Sequence, residues 1–283
     1  MKTPKRIQPL IVDGLVDEVI RPLMSGKEAI VYQVRCGSDI RCAKVYKEAS
    51  KRSFKKAVEY QEGRRGRNSR RNRAMEKKSS FGRKQQEEAW QNAEVDALFR
   101  LSKAGVCVPE PYGCFEGVLV MQLITDANGD VAPRLNDIVL SETQAILDHA
   151  VMMHNVARML SVGVIHGDLS EFNVLQDEFG PVIIDLPQAV NASGNNNAKK
   201  MLERDVQNMT NYYSQFAPQL RKSQYAQEIW DLYEKAELKR DTILTGRFKQ
   251  IQEKANVGEV MAQIKDAFEE EQARKERMNQ LDT

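Results

Sequence analysis

The spacing of apolar residues predicts a β-rich first half and a helical second half. Residues 10–22 read as a short apolar lead-in. Ser25-Gly26-Lys27-Glu28-Ala29 then forms a turn that enters the strand-like run Ile30-Val31-Tyr32-Gln33-Val34. Gly37-Ser38-Asp39 supplies a hairpin into a second β-type run, Arg41 to Tyr46. From Glu87 to Ala104 the period becomes helical, with Trp90, Ala93, Glu94, Ala97, Leu98 and Leu101 near one face and Gly105 as the stop. Val118 to Ile124 is a buried-type strand, followed by a connector rich in Gly, Asp and Pro near residues 126–133. Helices are expected at Leu135–Leu140 and Glu142–Val162, short strands and a turn over 164–186, and a flexible loop at Asn191–Asn197. The remainder, 198–283, is expected to be helical. No internal repeat is present. This order implies an α+β chain: a small β-rich lobe with one helix, then a mainly helical lobe.

Composition changes this picture in one place. At 41% hydrophobic and 29% charged residues the chain has the make-up of a soluble globular protein, with length for one large domain or two lobes. No apolar run approaches the roughly 20 residues that span a bilayer. The N-terminus MKTPKRIQPLIVDG lacks the apolar block of a signal peptide, so no membrane partner and a cytoplasmic location are expected. Cys36, Cys42, Cys107 and Cys114 form no CxxC pair and read as reduced thiols. The net charge of +2 hides a strong segregation. Residues 51–84 hold fourteen Lys and Arg against three Glu, and their middle, GRRGRNSRRNR, has almost no apolar content. Such a segment is expected to be mobile alone and suited to a polyanion, RNA or the ribosome among them. Its few aromatics favour backbone electrostatics over base stacking.

The chemistry is concentrated in Ile165-His166-Gly167-Asp168-Leu169-Ser170-Glu171-Phe172-Asn173-Val174-Leu175, followed by Val182-Ile183-Ile184-Asp185. A turn presents Asp168 and Asn173, and an apolar strand delivers Asp185. One carboxylate, Asp168, can face a hydroxyl or water as the base. The Asn173 amide oxygen and the Asp185 carboxylate can hold Mg²⁺ on a nucleotide, with Mn²⁺ able to take the same ligands. This is the core of a kinase-like phosphotransferase using ATP. Lys44, on a strand, is placed to reach phosphates and to pair with a helix Glu. Glu94 is the natural partner, with Glu87 and Glu88 as competitors. Ser25 and Lys27 lie where a phosphate-covering loop belongs, although the sequence is neither GxGxxG nor Walker A. Met121, Gln122 and Ile124 belong to the strand joining the lobes, where backbone groups can meet an adenine edge. His166 is expected to brace the turn rather than act as a base. Asp205 reads as a structural ion-pair residue, and Phe248 to Gln280 as an amphipathic helix.

Taken together, Ser25-x-Lys27-Glu28-Ala29, the Lys44 strand, the His166-to-Asn173 run and Ile184-Asp185-Leu186-Pro187-Gln188 resemble the RIO kinases, atypical serine/threonine protein kinases. The resemblance covers about residues 20–235 and implies a bilobal protein-kinase-like fold with a truncated C-lobe. It implies that Lys44 binds nucleotide phosphate, Gln122 and Ile124 flank adenine, Asp168 accepts the substrate proton, and Asn173 and Asp185 bind Mg²⁺. It also implies a transient aspartyl-phosphate at Asp185, and hence ATPase activity. No Ala-Pro-Glu follows Asp185, in keeping with a missing activation loop. The chain resembles the branch without a winged helix, in a short form expected of bacteria. The implied organisation is a lead-in at 1–22, an N-lobe at 23–124 carrying the basic insertion, a C-lobe at 125–246 and a helical extension at 247–283. Two rivals share parts of this pattern: a small-molecule kinase of aminoglycoside or choline type, and an ATP-regulated RNA- or ribosome-associated factor.

Overall fold

The computed structural model describes residues 3–26, 28–47 and 93–248. The basic segment 51–84, Lys27 and nearly all of the expected C-terminal extension therefore lie outside the described residues. The chain divides into two compact units, Met1–Arg247 and Phe248–Thr283, and the described strands and helices all belong to the first.

Five strands form one antiparallel sheet: β1 (Glu18–Ser25), β2 (Ala29–Cys36), β3 (Asp39–Tyr46), β4 (Pro111–Phe115) and β5 (Val118–Gln122). Their order is β1-β2-β3-β5-β4. The two-residue period of a strand sends alternate side chains to opposite faces. On one face Tyr32, Val34, Ala43, Val45, Val118 and Val120 pack with Leu10 of the short helix α1 (Gln8–Val12). On the other, Tyr46 and Leu119 join a core that includes Leu98 and Leu101 of helix α2, residues 93–104. Lys44 lies on this second face by register alone. Gly105 takes a left-handed φ of 76° just past α2, and Val106 N–H closes back on Leu101 O at 3.1 Å, so the helix stops there.

The helical half begins with a 3₁₀ turn, Leu135–Asp137, and the long helix α3 (Glu142–Ser161). Ser141 caps α3, its side chain accepting the Gln144 N–H at 3.1 Å. Two short hairpin-like pairs follow: β6 (Val164–Ile165) with β9 (Val190–Asn191), and β7 (Val174–Gln176) with β8 (Pro181–Ile183). Helices α4 (Ala198–Tyr213) and α5 (Tyr225–Glu234) then pack on α3. Fully buried Met152, Met153, Leu160, Met209, Tyr213 and Ile229 fill the space between them. No helix among the described residues is long and apolar enough to cross a membrane.

Several expectations require correction. The apolar lead-in contains α1 and most of β1, an edge strand whose Pro22 costs no interior ladder bond. β4 was also unforeseen. The expected helix at Leu135–Leu140 is a single 3₁₀ turn, because extended backbone at Ile138 ends it. The loop at 191–197 is partly ordered, with Asn191 in β9 and a 3₁₀ turn at Ala192–Gly194. Helix does not run on from α5 to 248. Ala236, at φ 56°, turns the chain back, and Glu228 then accepts the Thr245 N–H at 2.8 Å and the Gly246 N–H at 2.7 Å.

Candidate active site

Strand β6 delivers the His166-Gly167-Asp168 turn, and α4 holds it. The buried Asp205 carboxylate accepts the Gly167 N–H at 2.7 Å and the Leu169 N–H at 3.1 Å. Arg204 bonds the Gly167 carbonyl, and Asn208 Nδ2 donates to the Leu169 carbonyl at 3.0 Å. Both backbone groups on either side of Asp168 are thus fixed from one helix. Asp205 is structural as expected, but through backbone amides rather than an ion pair. Burial raises its pKa above the ordinary carboxylate value, against the opposing pull of His166, the two amides and Arg204. His166 is 2% exposed. Its Nδ1 accepts the Asp168 N–H at 3.3 Å, which assigns the proton to Nε2, and Nε2 then donates to the Ile184 carbonyl at 3.1 Å. The ring therefore braces the turn against the strand that leads to Asp185.

Asp168 is exposed at the tip of this turn. Asn173 Nδ2 donates to the Asp168 carbonyl at 2.9 Å, leaving its amide oxygen available. Gln188 Nε2 reaches Asp168 Oδ2 at 3.4 Å. Gln188 stood in the recognised motif without a role, and only the folded chain shows that it meets Asp168.

Lys44 links the two halves. Its Nζ lies 2.5 Å from Glu94 Oε1 and 2.9 Å from Asp185 Oδ1. Of the three glutamates considered, Glu94 is the one at Lys44; Glu87 and Glu88 lie outside the described residues. Burial alone would lower the Lys44 pKa, but the Glu94 carboxylate, and then Asp185, outweigh it and hold the ammonium above its usual value. For Asp185 desolvation works upward, and the Lys44 charge and hydrogen bond more than offset it. Asp185 also stands at φ 65°, a left-handed conformation rare for a side-chain-bearing residue.

The remaining candidates ring this cluster. Ser25 Oγ is 3.4 Å from Lys47 Nζ, which also donates to the Gly26 carbonyl at 2.6 Å. No sequence signal separated Lys47 from any other strand-end lysine. Met121 helps to line a small cavity beside Lys44, Glu94, Leu98 and Asp185. The Gln122 side chain is turned away to the Glu110 N–H at 3.2 Å. Ile124 is buried, and its carbonyl takes the Ala132 N–H at 3.0 Å.

The donor set fits a divalent ion held jointly with phosphate. The Asn173 amide oxygen and the second Asp185 oxygen are hard donors. No group of three or more His, Cys, Asp and Glu among the described residues would hold a metal by itself.

A β-sheet lobe whose lysine pairs with a helix glutamate and with Asp185 after β8, above a turn presenting Asp168 and Asn173, defines a protein-kinase-like phosphotransferase fold. Residues 30–227 match the RIO domain. The chain is 32% identical over 208 residues to the RIO-type serine/threonine-protein kinase Rio1 of Haloferax volcanii, covering 73% of this chain and 67% of that protein. It is 32% identical over 205 residues to the Methanocaldococcus jannaschii protein of the same name, covering 72% and 66%. With the human serine/threonine-protein kinase RIO1 it shares 30% over 211 residues, 72% of this chain but 34% of that one. The matched region thus spans about two thirds of these archaeal relatives and about a third of the human one. The chain belongs to the RIO family of atypical serine/threonine-protein kinases. Membership implies ATP, a divalent metal and a protein substrate, and does not favour a small-molecule kinase.

Proposed function

We propose that the chain transfers the γ-phosphate of Mg²⁺-bound ATP to a protein serine or threonine hydroxyl, and to water when no acceptor is present. The observation that carries this reading is the Lys44 ammonium bonded to both Glu94 and Asp185, with Asp168 and Asn173 held on the adjoining turn. Lys44 contacts the nucleotide phosphates, and Glu94 fixes its position. Asp168, exposed and aligned by Gln188, accepts the proton of the attacking hydroxyl. A divalent ion bound by Asn173 and Asp185 would neutralise phosphate charge. Most of the acceleration is then placement and electrostatics.

Resemblance to the family also supports Asp185 as a transient acceptor. Its carboxylate oxygen would bond to the γ-phosphorus as the bond to the β-phosphate oxygen breaks and ADP leaves. Water would later release phosphate. The sequence of the basic segment 51–84 supports a role in RNA or ribosome contact.

The test uses γ-labelled ATP, a generic protein acceptor and, in parallel, RNA. Asp168→Ala should abolish transfer, and Asp185→Asn should remove transfer together with metal-dependent ATP binding. Wild-type turnover in Asp185→Asn would sink the metal assignment. Acid-labile, hydroxylamine-sensitive label on the wild-type chain supports the aspartyl-phosphate, whereas stable phosphoserine alone argues for direct transfer. Salt-insensitive or absent RNA retention removes the RNA role.

A further inference from the structure

Among the described residues, Lys44 is the ammonium bonded within the Glu94–Asp185 cluster, and Lys47 lies at the Ser25-Gly26 turn, while three carboxylates, Glu94, Asp168 and Asp185, belong to the site. One divalent ion leaves a highly anionic ligand poorly matched. A further cation, Arg134, stands nearby that neither the sequence motifs nor the family resemblance singled out.

Arg134 follows the inter-lobe connector. Its backbone pairs with Leu175 of β7, and Gln176 N–H bonds the neighbouring Pro133 carbonyl at 2.9 Å. This fixes its Cα beside the strand that begins directly after Asn173. The side chain crosses to the opposite lobe, where Nη2 lies 2.9 Å from the Met24 sulfur. Met24 directly precedes Ser25 of the phosphate-loop turn. The guanidinium thus bridges the two elements between which nucleotide phosphates are expected. It is also near enough to Asp185 to help depress that carboxyl.

The partner it has is a poor one. A guanidinium offers five N–H donors in a planar fork, and a thioether is a weak acceptor. No carboxylate pairs with Arg134 among the described residues, although acidic side chains are plentiful in the cleft. A partly exposed arginine for which the described residues offer only this thioether acceptor matches a phosphate group, bidentately, better than it matches Met24.

We propose that Arg134 is a further phosphate-binding residue, which leaves Met24 and engages the triphosphate of the bound nucleotide. The assignment rests on the proposed use of ATP. Because the contact is to phosphate, it predicts selective loss: ATP and ADP should suffer, and adenosine should not.

The experiment titrates the full-length chain with Mg-ATP, Mg-ADP and adenosine, for wild type, Arg134→Ala, Arg134→Gln and Arg134→Lys. Arg134→Ala and Arg134→Gln should weaken ATP at least tenfold and adenosine less than twofold. Arg134→Lys should recover part of the loss, since it restores charge without the fork. Met24→Ala should bind ATP at least as tightly as wild type. ATP affinity unchanged in both Arg134→Ala and Arg134→Gln overturns the proposal, as does an equal loss for ATP and adenosine, which marks a ribose or purely structural role. If Arg134→Ala does not fold, Arg134→Gln against Arg134→Lys decides. If the wild-type chain binds no adenine nucleotide, the use of ATP itself falls and this assignment with it.

Discussion

Replacing Asp205 tests whether α4 positions the turn that carries Asp168. The carboxylate is 1% exposed and accepts two backbone N–H groups, at 2.7 and 3.1 Å, from the residues on either side of Asp168. Asparagine has the same shape but a single acceptor oxygen. In Asp205→Asn one of the two amides must face an NH₂ group and stay unpaired, a cost of roughly 1–3 kcal/mol. Burial disfavours the Asp205 charge, so removing that charge returns part of the loss. A net destabilisation of about 1–2 kcal/mol results, which lowers Tm by about 2–8 °C in a domain of this size. Asp205→Ala leaves both amides unpaired and should cost about twice as much. The kinetic effect should be larger than the thermal one. A shift of about 1 Å in a catalytic group can cost about 100-fold in rate, so kcat should fall about that far while KM for ATP changes little. Thermal unfolding and initial rates on the same preparation give both numbers. An Asp205→Asn protein that loses stability and keeps wild-type kcat would refute the positioning role.

Glu94→Gln should raise KM for ATP and lower kcat/KM at least tenfold, because Lys44 loses its 2.5 Å partner and is left to Asp185 alone; unchanged kcat/KM counts against the pair. Acid stability should report on His149, which burial holds neutral with a pKa of about 4 against 6.5 in the unfolded chain. The unfolded state binds the extra proton as pH falls from about 6.5 to 4, so up to about 3 kcal/mol of stability is present above that window and lost through it. His149→Phe, among the edge-on rings of Tyr213 and Tyr225, should flatten this acid limb in urea titrations; an unchanged slope would remove His149 as its source.

Local sequence carried much of this architecture. The sequence put Lys44 on a β-type strand and Glu94 near the apolar face of a helix, with Glu87 and Glu88 as competitors, and the fold joins Lys44 to Glu94. Pro22 hid β1, since proline weakens any strand reading and only edge position makes it harmless. The ends of the C-lobe misled for a different reason. Residues 235–248 have helical composition, and a tertiary contact, the Glu228 carboxylate on Thr245 and Gly246, overrides it. Long-range pairs such as Gln188 with Asp168, or Arg134 with Met24, join positions with no shared periodicity. No pattern in the chain announces them.

The left-handed backbone at residue 185 narrows the choice of amino acid there from two independent directions. At φ 65° only glycine is at ease, and asparagine and aspartate come next because their short polar side chains tolerate the region. The Lys44 contact demands an anion that ends one carbon beyond Cβ. Glutamate has the charge but is one methylene too long and lacks the conformational tolerance, and glycine has the tolerance without the charge. Aspartate alone satisfies both, so Asp185→Asn isolates the chemistry of the carboxylate, whereas Asp185→Ala removes it and strains the chain at once.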